Sequence, residues 1–118
     1  MKILIADDSA FMRNIIKNIL TQNGVSEVIE AVDGQDAINK YGEINPDLVF
    51  LDIMMPNKTG LEALKEIKGS NPEAKVVMCT SVGQEKVVEE AVESGAEDFV
   101  TKPFKPEDIQ EVLSKFQS

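Results

Sequence analysis

Three aspartates, a threonine and a lysine stand at the ends of short apolar runs. Asp7 and Asp8 follow Ile3 to Ala6, Asp52 follows Leu48 to Leu51, Thr80 follows Val76 to Cys79, and Lys102 follows Phe99 to Thr101. If these runs are parallel strands, all five groups arrive on one rim of a sheet, although long stretches of chain separate them. Three adjacent carboxylates repel one another, so such a cluster either keeps a proton or binds a cation. The donors are hard oxygens, with no histidine in the chain and a single cysteine, which disfavours zinc or copper and favours Mg²⁺, with Mn²⁺ as a substitute. Singly, each acid has a local explanation: Asp8 as a helix cap, Asp52 as the opening of the turn at Met55-Pro56. Convergence of five groups outweighs those separate roles. Lys102, between Phe99-Val100 and Pro103, needs a counterion, for which Asp52 is the candidate, and it also supplies a point charge suited to a phosphoryl group.

The elements that would carry these groups follow from periodicity. Five strand-length apolar runs recur: Ile3 to Ala6, Val25 to Ala31, Leu48 to Leu51, Val76 to Cys79 and Phe99 to Thr101. The first, third and fourth are continuous, as in strands buried on both faces, whereas the second alternates and suits an edge. Between them lie helical patterns. Phe11, Ile15, Ile16, Ile19 and Leu20 line one face before Asn23-Gly24, and Ala37, Ile38 and Tyr41 another before Asn45-Pro46. Leu61, Leu64 and Ile67 mark a third helix ending near Gly69, and Val87, Val88, Ala91 and Val92 a fourth closed by Ser94-Gly95. The fifth opens with Pro106, Glu107 and Asp108 and buries Ile109, Val112, Leu113 and Phe116. Strict strand–helix alternation predicts an α/β fold, a doubly wound five-stranded parallel sheet with helices on both faces. Ligands of such sheets sit beyond the carboxyl ends of the strands.

The 118 residues are 42% hydrophobic and 28% charged, which fits one domain spanning 1–118. A net charge of −9 excludes a nonspecific grip on nucleic acid or an anionic membrane. The segment from Glu85 to Glu111 holds nine acids and three bases, so its helices are either solvated acidic faces or a docking surface for a basic partner. Cys79, the lone cysteine, allows no internal disulfide, and the N-terminus turns acidic too early for a signal sequence or membrane span, so a cytoplasmic protein is expected.

The acidic pair Asp7-Asp8, Asp52 followed by Ile53-Met54-Met55-Pro56, then Thr80 and Lys102-Pro103-Phe104, resemble the receiver domains of two-component response regulators over the whole chain. Asp7 to Arg13 is similar in particular to stand-alone chemotaxis regulators of the CheY type. The resemblance implies a flavodoxin-like (βα)5 fold with strand order 2-1-3-4-5. It implies that Asp52 accepts a phosphoryl group from a histidine kinase, and that Asp7, Asp8, Asp52 and the Met54 backbone carbonyl hold Mg²⁺. Lys102 and Thr80 would contact the phosphoryl group. Movement of Thr80 would let Phe99 swing inward as a switch; an ordinary core position on the fifth strand is the other reading of Phe99. Met54 and Val82 would flank the phosphoryl group. The implied product is a changed protein-binding face on the fourth helix, fifth strand and fifth helix, for a flagellar switch or other output protein, with a dedicated phosphatase a further partner and a monomer the expected state. Three alternatives compete: a phosphorelay intermediate passing its group to another histidine, a receiver fragment of a larger regulator, and a metal-dependent phosphohydrolase. The last wants a second acid two residues after its nucleophile, where this chain has Met54. A DNA-binding output domain is not expected, because the sequence ends at Ser118.

Overall fold

The continuous apolar runs become the buried middle of a sheet, and the alternating one becomes an edge. The computed structural model describes residues 1–81 and 83–116. In chain order the elements are β1 (Lys2–Ala6), α1 (Ala10–Gln22), β2 (Glu27–Ala31), α2 (Gly34–Ile44), β3 (Leu48–Asp52), α3 (Gly60–Ser70), β4 (Val76–Thr80), α4 (Glu85–Glu93), β5 (Asp98–Thr101) and α5 (Pro106–Phe116). All strand pairs are parallel, in the order β2-β1-β3-β4-β5, as expected from the resemblance.

Side chains of period two divide between two cores. Leu4, Ala6, Val49, Leu51, Val76 and Met78 face α2, α3 and α4, where they meet Ala37, Tyr41, Ala63, Leu64, Ile67 and Ala91. Ile3, Ile5, Leu48, Phe50, Val77, Cys79 and Val100 face α1 and α5, packing on Ile16, Ile19, Leu20, Ile109, Val112 and Leu113. Full burial of a side chain the size of leucine or phenylalanine contributes about 1.5–3 kcal/mol, so the central strands are a rigid base for whatever their ends carry. No helix among the described residues is long and apolar enough to cross a membrane.

Two local details differ from the sequence expectations. The second strand begins at Glu27, not Val25, because the Val25 N–H bonds to the Leu20 carbonyl at 3.1 Å and the Gly24 N–H to Thr21 at 3.1 Å, a helix-ending pair in which Gly24 takes φ +87°. Val25 is core, but as the apolar seal of α1. The cap of α1 is Ser9, whose Oγ accepts the Met12 N–H at 3.3 Å, and not Asp8, which leaves Asp8 available for other chemistry.

The chain between β3 and α3 is folded tightly against its surroundings. Asn57 has φ +67° and the Lys58 N–H reaches the Pro56 carbonyl at 2.7 Å, a three-residue turn held from outside by the Asn57 side chain donating to Asp33 at 2.6 Å. A Cβ on Gly60 would stand 2.0 Å from the Asp52 carbonyl oxygen, so only glycine lets α3 start directly beneath the end of β3.

Candidate functional site

The order of the sheet puts the ends of β1 and β4 on either side of the end of β3. Asp7 and Asp8 therefore lie on one side of Asp52, and Thr80 on the other. One carboxylate oxygen from each of the three aspartates lies within 4.8 Å of the others. Asp7, Asp52 and Thr80 are buried and Asp8 is exposed. Lys102 reaches in from the end of β5. Its backbone N–H bonds to the Thr80 carbonyl at 2.7 Å, and its Nζ lies 2.8 Å from Asp7 Oδ2 and 3.0 Å from Asp52 Oδ1. The sequence pointed to Asp52 as its counterion, and the structure adds Asp7.

Asp7 has a partner for every polar atom. Its N–H donates to Ala31 O at 3.2 Å, Oδ1 accepts the Ser9 N–H at 2.9 Å, Oδ2 accepts Lys102, and its carbonyl accepts Arg13 Nη1 at 2.7 Å. Ser9 and Arg13 were not anticipated as parts of the site. A serine two residues after an aspartate is the available signal for the first; nothing in the local sequence marks the reach of Arg13.

Burial dominates the electrostatics of Asp52. It pushes the carboxyl above its ordinary value; the hydrogen bond from Lys102 pulls the other way, and the charges of Asp7 and Asp8 add to the rise. Burial likewise works against the charge on Lys102, but its bonds to Asp7 and Asp52 outweigh that and hold the ammonium more firmly protonated than usual. The Cys79 thiol, fully enclosed and next to the charge of Asp52, is pushed upward and is an inert core group.

The Thr80 hydroxyl is directed at the Val100 carbonyl, 3.5 Å away, the far limit of a hydrogen bond. Phe99 is 48% exposed, so its reading as an ordinary core residue of β5 does not hold. An edge strand with its outer face toward solvent leaves the ring uncovered. Met54, two residues after Asp52, is 62% exposed. Val82 lies outside the described residues.

The sequence matches the response regulator receiver domain family over residues 3–114. The chain belongs to that family. Among curated relatives, the chemotaxis protein CheY of Thermotoga maritima is 45% identical over 114 residues, covering 97% of this chain and 95% of that protein. The CheY of Bacillus subtilis is 47% identical with the same coverage. Among solved structures, a CheX–CheY–BeF3–Mg complex from Borrelia burgdorferi superposes with a TM-score of 0.91 at 34% identity, covering 100% of this chain and 90% of that one. A receiver domain homologous to CheY is a phosphorylation-activated signalling module and not a classical enzyme, and the family generally binds Mg²⁺. The acidic cluster of this receiver is a chemically suitable place for such an ion.

Proposed function

We propose that this receiver accepts a phosphoryl group from a histidine kinase on Asp52 and signals, in chemotaxis or flagellar motor control, through the α4–β5–α5 face. The observation that carries the reading is the position of Asp52: a buried carboxylate ending the middle strand, one oxygen held by Lys102, at the centre of three acids. Three carboxylates against one ammonium leave two formal negative charges, which suits a divalent cation. Asp7, Asp8, Asp52 and the Met54 carbonyl would hold Mg²⁺. Bound there, the ion would neutralise charge on the incoming phosphoryl oxygens.

The residues themselves divide the work. An Asp52 carboxylate oxygen attacks phosphorus, forming an O–P bond as the P–N bond to the donor imidazole breaks and the electron pair returns to the ring nitrogen, which takes a proton. The raised pKa makes Asp52 a better nucleophile than an exposed carboxylate while leaving it ionised above that value. Lys102 is poised to exchange a carboxylate partner for a phosphoryl oxygen, and Thr80, one strand away, to turn from Val100 toward the same group. Phe99 and Val92, exposed on β5 and α4, give the output face apolar contacts within an acidic surround, suited to a basic amphipathic segment.

The test is labelling by a histidine kinase or acetyl phosphate with Mg²⁺. The parent should acquire one acid-stable, alkali-labile phosphoryl group and Asp52→Asn none. Equal labelling of the two proteins would refute the assignment.

A further inference from the structure

The pair of acids that heads the site is gripped from behind. The Arg13 side chain, on the first turn of α1 and 13% exposed, makes two bonds in different directions: Nη1 donates to the Asp7 carbonyl at 2.7 Å and Nε to Glu30 Oε1 at 2.9 Å. Glu30 is itself tied down on β2. Its other oxygen lies 3.4 Å from Lys17 Nζ, and its backbone carbonyl accepts Lys40 Nζ at 2.6 Å. Burial works against its charge, but the bonds from Arg13 and Lys17 outweigh that and hold the carboxyl below its usual range.

The Asp7 carbonyl lies in the rigid peptide plane that joins Asp7 to Asp8. The preceding plane is held by the Asp7 N–H on Ala31. Fixing both planes fixes φ and ψ of Asp7, and with them the position from which Asp8 projects. Charge alone gives no reason for this arrangement, since a guanidinium bonded to a residue of a cation site repels the cation. Geometry does give one. We infer that Arg13, oriented by Glu30, is a positioning residue for the divalent cation: it locks the Asp7–Asp8 peptide so that both carboxylates converge with Asp52. The inference rests on the proposed cation site and adds the residue that sets its geometry.

Calorimetric titration of the metal-free protein with Mg²⁺ tests it, with Asp8→Asn as the control for where the ion binds and far-UV circular dichroism confirming that each protein is folded. Arg13→Gln removes a repelling charge, so electrostatics predicts tighter binding; loss of positioning predicts binding weaker by about tenfold, the usual cost of removing a group that orients a metal ligand. Arg13→Lys keeps charge and bulk but lacks the planar fork needed to reach both partners, and should also bind several-fold more weakly. Glu30→Gln loses an acid but keeps an acceptor for Nε, so it should bind like the parent, where electrostatics predicts weaker binding. Affinity in Arg13→Gln equal to or tighter than the parent overturns the inference, as does parental affinity in Arg13→Lys. A parent that binds no Mg²⁺ overturns the cation site and this inference together; a parent that binds while the Arg13 variants bind equally well overturns the inference alone.

Discussion

Removing the charge of Asp52 should make the metal-free protein more stable. At an effective dielectric of about 20, like charges within 4.8 Å of each other repel by about 3.5 kcal/mol or more, and opposite charges 3.0 Å apart attract by about 5.5 kcal/mol. Asp52 thus meets two repulsions, from Asp7 and Asp8, and one attraction, to Lys102. These pairwise interactions largely offset one another and burial decides the sign: it raises the Asp52 pKa despite the bond from Lys102, so the ionised carboxylate carries a penalty on the order of 1.5 kcal/mol. Asp52→Asn abolishes that penalty, while Lys102 keeps Asp7 at 2.8 Å. In urea, with a slope of about 2 kcal/mol per molar, the midpoint should rise by about 0.7 M in EDTA. The pH dependence has a definite sign. The folded state raises the Asp52 pKa above the unfolded value of 3.8, so it binds the proton more tightly. The parent therefore loses stability as pH rises from 3.8 through the raised folded value, and the advantage of the variant should be full at neutral pH and shrink on acidification. Saturating Mg²⁺ should work against the variant, because a cation bound only by the folded state stabilises the parent by about 2.7 kcal/mol at a hundred times its dissociation constant. A metal-free Asp52→Asn protein less stable than the parent at pH 7 would refute this electrostatic account of the pocket.

Gly60→Ala should be destabilising and should slow phosphorylation, because its Cβ would meet the Asp52 carbonyl oxygen at 2.0 Å and disturb the 2.8 Å bond from the Gly60 N–H to Ile53. Overpacking and a weakened hydrogen bond together cost about 3 kcal/mol, or about 10 °C in Tm, read by thermal unfolding; a drop under about 2 °C would show that the loop yields freely. Thr80→Ala loses only a 3.5 Å contact, so its stability should change by less than about 1 kcal/mol and phosphorylation should persist, while the gain in partner affinity on phosphorylation falls. Binding measured with and without beryllofluoride checks this, and an unchanged gain would remove Thr80 from the coupling.

Most of the site was legible because parallel strands bring the residues at their ends to one edge, whatever lies between them. Asp7, Asp8, Asp52, Thr80 and Lys102 each followed an apolar run that proved to be a strand. The helix ends were legible too: Asn23-Gly24 and Ser94-Gly95 both close helices with glycine at positive φ. What escaped the sequence were contacts set by tertiary placement. Val25 looked like strand because its apolar character is the same whether it pairs in a sheet or seals a helix end. Arg13 and Glu30 meet only because α1 packs beside β2, and no periodicity encodes the direction of a long side chain. The exposure of Phe99 depends on β5 being an edge, which pattern alone does not distinguish from a covered strand of equal length.

The bond between Lys102 and Asp7 joins residues 95 positions apart, and Asp52 sits between them in the chain. No short fragment contains the pocket. A chain still emerging from the ribosome has Asp52, the proposed phosphoacceptor, long before it has the lysine and the fifth strand. On the proposed roles of Asp52 and Lys102, competence to be phosphorylated is acquired late, with the long-range pairing that completes the sheet. The pool of molecules able to carry the signal would then be the pool that has finished folding, and the placement of one lysine would exclude immature and broken copies from signalling.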